Sequence, residues 1–125
     1  HIPVPADAET NDSGSWIDHT SLANVVEYTW QTTGKPIIVT EHGIGTSDDR
    51  QRARFIENSL QHLQTVIQNG ASVKGYIHWT LLDNFEWISG YAKHFGLHTV
   101  DRNTFERKPK PSALRYAQII KQNRV

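Results

Sequence analysis

The chain lacks cysteine altogether, so it can form neither a disulfide nor a thiolate metal site, and its cysteine usage says nothing about its compartment. It lacks a charge excess as well. Thirteen basic residues balance thirteen acidic ones, so no net field steers it toward nucleic acid or an anionic membrane, and a neutral, polar partner is expected. No apolar run approaches the roughly 20 residues of a membrane span, and the opening HIPVPADAET lacks the basic and apolar regions of a signal peptide. The expectation is a soluble, cytoplasmic protein. At 125 residues a single domain is the ceiling.

What is present alternates. Residues 1–15, rich in Pro, Asp, Asn, Ser and Gly, read as an irregular lead-in. From Ser21 to about Thr33 the apolar positions Leu22, Val25, Val26 and Trp30 fall at helical spacing, and Gly34 stands where a C-terminal cap belongs. Pro36 opens the run Ile37, Ile38, Val39, Thr40, of the kind found in parallel strands covered on both faces. Ser47, Asp48 and Asp49 offer N-caps to a helix whose Ala53, Ile56, Leu60, Leu63 and Ile67 recur in steps of three and four until Asn69 and Gly70 close it. VKGYIHW at 73–79 reads as a second strand, 80–94 as a long aromatic loop, FGLHTV at 95–100 as extended, and SALRYAQII at 112–120 as a terminal helix announced by Pro109 and Pro111. This order implies βα units with parallel strands, and no internal repeat is found.

Both strands end in chemistry. The first runs into Glu41 and a turn bearing Gly43 and Gly45; the second runs through Trp79 into LLDNFEW, which supplies Asp83, Glu86 and Trp87. In parallel α/β folds the C-terminal strand ends hold the site, because the strands fix positions while the loops vary. Spacing alone leaves two readings of Glu41, a turn or helix-capping carboxylate and a catalytic one. For Trp79, Phe85 and Trp87 spacing alone favours ordinary core packing, the more frequent fate of an aromatic cluster.

VTEHG, HWTLLDNFEW, GYAKHFGL and the closing VDRNTFERKPKPSALRYAQII, in this order and with these gaps, resemble the C-terminal part of a glycoside hydrolase family 1 β-glucosidase, over about Trp16 to Ile120. The fold this implies is α/β: the C-terminal portion, two βα units plus a terminal helix, of a (β/α)8 TIM barrel, with the whole of 1–125 as one segment of a single glycosidase domain. The two strands would be the seventh and eighth.

The resemblance also implies roles. Enzymes of the family are retaining, which requires one carboxylate to attack the anomeric carbon and one carboxylic acid to protonate the leaving oxygen, about 5–5.5 Å apart. Glu41 matches the nucleophile of the family's TENG motif. Glu86 is the second carboxylate that spacing suggests as general acid, yet by similarity it is a sugar-binding residue that accepts from two hydroxyls. Trp87 would donate its indole N–H to a hydroxyl, Trp79 would lie against the sugar's apolar face, and Phe95 would close the wall near the exocyclic carbon. The expected substrate is an unphosphorylated terminal β-D-glucoside, with galactosides and fucosides also open; Glu86 would repel the phosphate of a 6-phospho-glycoside. The family's acid/base glutamate lies in an NEP motif after the fourth strand, and these residues contain no NEP. The upstream part of the barrel, on the same chain or a companion, is therefore the expected partner. The alternative is a noncatalytic carbohydrate-binding or assembly fragment.

Two departures concern histidine. His42 replaces the family's usual asparagine and is expected to turn into supporting hydrogen bonds; His94 stands where arginine or lysine is common and is expected at the surface or wall. No metal or other cofactor is expected, since the histidines do not adjoin carboxylates in a recognised ligand spacing. The GIG of EHGIGT lacks a Walker lysine and precedes Asp48 and Asp49, which would repel a phosphate. The basic residues Arg102, Arg107, Lys108, Lys110 and Arg115 are expected on a solvated face.

Overall fold

The computed structural model describes residues 4 and 6–125, so the lead-in expected over 1–15 lies partly outside the described residues. Helix α1 spans Ser21–Thr33 and ends at Gly34, whose left-handed backbone (φ 60°) lets its N–H reach the Trp30 carbonyl. Strand β1, Ile37–His42, follows directly, and α2, Asp49–Gln68, starts at Asp48, whose carboxylate accepts the Arg50 N–H at 2.9 Å. Strand β2, Val73–His78, pairs parallel with β1. The long excursion beyond it contains one short 3-10 turn, Trp87–Ser89, before β3, His98–Val100, and β4, Arg107–Pro109, form an antiparallel hairpin. The chain closes with α3, Pro111–Gln122, which carries proline in its first turn.

The helices cover one face of the β1–β2 pair. Ala23 and Val26 from α1, Ile56, Leu60, Leu63 and Val66 from α2, Val39 from β1 and Ile119 from α3 form the core. The buried stripe of α2 is turned slightly from the expected one: Phe55 and Val66 are inside, Ile67 is 42% exposed, and the polar Arg52 and Ser59 lie within the stripe. On α1, Val25 faces out, because Leu22, Val26 and Trp30 already form a row four residues apart.

The other face of the pair is open. Ile38 and Ile77 are 57% and 56% exposed, and a Cβ on Gly75 would touch Ile38 Cγ2, which puts position 75 on that same side. Strands in parallel sheets are normally covered on both faces, and the expectation of two covered faces drawn from the apolar run is met here on one. A further groove of about 450 Å³ opens between α2 and α3 beside β2, lined by Leu63, Ile67, Val73, Tyr116 and Ile119. Among the described residues no helix is long and apolar enough to cross a membrane.

Candidate functional site

Glu41 and His42 are adjacent in the chain and so face opposite sides of the sheet, and one extra residue in β1 decides which side each takes. Val39 pairs with Tyr76 and His42 with His78, so three steps along β1 match two along β2. Such an irregularity resets the alternation of side chains. Val39 and His42 thereby both face the helices, while Thr40 and Glu41 are left exposed on the open side. The His42 ring stacks on Phe55 of α2, centroids 4.7 Å apart and planes 15° from parallel, and its Nδ1 lies 2.9 Å from Tyr76 Oη. His42 has thus turned into supporting bonds. Burial pushes its pKa down to about 4, and burial, with smaller contributions from His42 and Arg52, does the same to His78.

The loops beyond the strands are knit together at the C-terminal end of the pair. Trp79 N–H donates to the His42 carbonyl at 2.9 Å, and a Cβ on Gly43 would run into the Trp79 carbonyl. The Phe95 ring packs over Gly45, and the Phe95 carbonyl accepts from Thr80 N–H at 3.2 Å. Glu41, Trp79 and Phe95 are therefore gathered around one turn. Beneath it Arg52, 1% exposed, donates from Nη2 to the Thr46 and His94 carbonyls at 2.5 and 2.6 Å and from Nη1 to Asp49 at 2.6 Å. Arg52 was not foreseeable as a site brace, since one basic residue in an apolar stripe reads as an interruption; its spacing from Asp49 was the available signal.

Glu86 and Trp87 sit on the excursion. The Glu86 N–H donates to the Gly90 carbonyl at 2.6 Å, and Trp87 adopts φ 44°, a backbone that bulky residues seldom take, with 81% of its surface exposed. The excursion is held at its base by Asp83, whose carboxylate accepts from Gly96 N–H at 2.8 Å and from Lys110 Nζ at 2.8 and 3.0 Å, with His94 Nδ1 at 3.5 Å. Lys110 was expected on a solvated face and is instead largely buried: its ammonium is the partner that lets Asp83 be buried at all. Arg115 likewise pairs with Glu57 at 2.5 Å. His94 is half exposed beside Asp83.

His94 and His98 stand four residues apart, a spacing that on a helix stacks two imidazoles over one ion. Here that stretch runs extended into β3, and His98 Nδ1 lies 3.2 Å from the Leu81 carbonyl. Among the described residues no three His, Asp or Glu side chains cluster to hold a metal ion.

The family model for glycosyl hydrolase family 1 matches residues 5–125. β-Glucosidase 47 of Arabidopsis thaliana is 46% identical over 94 residues, 70% of this chain and 18% of that protein. A β-galactosidase of Sulfolobus acidocaldarius is 36% identical over 94% of this chain and 24% of its own length. Among solved structures, the apo form of β-glucosidase 1317 superposes with a TM-score of 0.93 at 37% identity, over 99% of this chain and 31% of that one. A Thermotoga maritima β-glucosidase in complex with glucoimidazole gives 0.91 at 30% identity, over 98% and 30%. The chain thus spans about a fifth to a third of the relatives it matches. A backbone that superposes over nearly its own whole length on these enzymes, with a sequence matched by the family model over residues 5–125, places the chain in glycosyl hydrolase family 1 as the C-terminal part of a (β/α)8 barrel.

Proposed function

We propose that this chain supplies the nucleophile and part of the sugar site of a retaining β-glycosidase that cleaves terminal non-reducing β-D-glucosyl residues. The observation that carries the reading is the placement of Glu41: exposed on the open face at the C-terminal end of β1, beside Trp79 and Phe95. Its carboxylate attacks C1 of the pyranose while the aglycone oxygen leaves with a proton from the acid/base glutamate, which the family carries upstream. Water then attacks C1, the same glutamate takes its proton, and Glu41 is released. Trp79 forms a platform for the ring, Glu86 and Trp87 bond sugar hydroxyls, and Phe95 closes the wall. Relatives named β-glucosidase and β-galactosidase support both epimers as candidates.

The partner is the remainder of the barrel. The open face with Ile38 and Ile77, the free edges of β1 and β2 and the groove between α2 and α3 are the surfaces such units would cover.

The test is trapping with a 2-deoxy-2-fluoro-β-glucoside in the protein carrying the complete barrel, followed by peptide mapping. Label on Glu41, and turnover of an aryl β-glucoside reduced by at least about 10³-fold in Glu41→Gln, are the expected results. Label on another residue ends the assignment. Glucose binding without any turnover would favour the noncatalytic reading.

A further inference from the structure

His42 is bound on three sides, and each bond ties the end of β1 to a neighbouring element. Its ring stacks on Phe55 of α2, its Nδ1 meets Tyr76 Oη of β2 at 2.9 Å, and its carbonyl accepts the Trp79 N–H at 2.9 Å. Tyr76 Oη also lies 3.5 Å from the His42 carbonyl and 3.5 Å from His78 Nδ1, and Tyr116 Oη of α3 donates to the Tyr76 carbonyl at 3.4 Å. A strand end can misplace its outward side chain by rotating about its own axis. A partner on the far side of the strand, fixed at both ring and backbone, opposes that rotation.

We propose that His42 is a positioning residue: through Tyr76 and Phe55 it holds the backbone from which Glu41 projects, and through its carbonyl it sets Glu41 against Trp79. The inference rests on the reading of Glu41 as nucleophile. Burial keeps the imidazole neutral near pH 7, so one ring nitrogen is free to accept the Tyr76 hydroxyl proton. An attacking atom must lie within a narrow range of C1, and small displacements there cost large factors in rate while leaving ground-state binding nearly alone.

The experiment measures the rate of fluoroglycosyl-enzyme formation in the complete-barrel protein, well below its melting temperature, together with glucose affinity. Tyr76→Phe removes only a hydroxyl. It should slow trapping about tenfold at saturating reagent, with the glucose Kd changed less than about twofold. His42→Ala should slow it further, and His42→Asn, whose amide reaches the Nδ1 position, should recover to within about threefold of the parent. If His42→Ala fails to fold, the other two variants decide. Parental trapping rates in Tyr76→Phe, or a His42→Asn as slow as the alanine, overturn the role of His42 while label on Glu41 leaves the nucleophile standing. Label on another residue overturns both.

Discussion

At Gly43 the chain leaving β1 passes so near the end of β2 that a side chain would collide with the Trp79 carbonyl oxygen. The obstacle is backbone and has no rotamer to escape into, so relief requires the two strand ends to part. Gly43→Ala should therefore destabilise the protein by about 2–3 kcal/mol, read from the urea midpoint, and should depress activity more than stability because Glu41 and Trp79 move with those ends. Part of this neighbourhood was legible. A carboxylate where an apolar run meets a glycine-bearing turn drew attention to Glu41, and the family resemblance pointed to Trp79 and Phe95, which the fold gathers at that turn, and to Glu86 and Trp87, which sit on the excursion. The extra residue in β1 could not be read, because IIVTEH is three apolar residues followed by three polar ones and shows no alternation that could reveal where the parity changes.

The helices and the parallel pair were readable because stripes and caps agree: Gly34, Asp48 and Pro111 all stand at observed boundaries. The β3–β4 hairpin was not, since RKP has neither alternation nor β-branched residues. Nor was the contact that seats α3. Asp49, in the first turn of α2, accepts from Ser112 N–H at 2.8 Å and Ser112 Oγ at 2.7 Å, at the first turn of α3, while also receiving Arg52. Asp49→Asn leaves the Arg52 guanidinium buried without its counter-charge, which costs about 3 kcal/mol in comparable pairs. Chemical denaturation should show that loss, and hydrogen exchange should show α3 opening first. The exposed Arg54–Glu9 pair at 3.1 Å is the contrast, and Arg54→Ala should change stability by less than about 1 kcal/mol.

For the whole molecule, the buried groups set the response to acid. His42 and His78 fall from 6.5 to about 4 on folding, so between these values the unfolded chain holds more protons and stability drops as pH falls. A shift of this size corresponds to about 3 kcal/mol for one imidazole, with the pair giving less than twice that because the two are neighbours. Below that window Asp49 acts. Burial would raise its pKa, but the hydrogen bonds from Ser112 and Arg52 bring it below 3.8, so its contribution persists above that value and disappears as pH falls through its folded pKa. Urea midpoints at pH 7, 5.5 and 4.5 should fall steadily, and a flat profile would contradict the buried neutral histidines.

The single additional residue in β1 gives this stretch an odd-even dependence. A chain shortened by one position ahead of Glu41 would still read as a hydrophobic run, yet the carboxylate and the imidazole would exchange audiences, one facing Phe55 and the other the open side. Insertions and deletions there are thus filtered by parity.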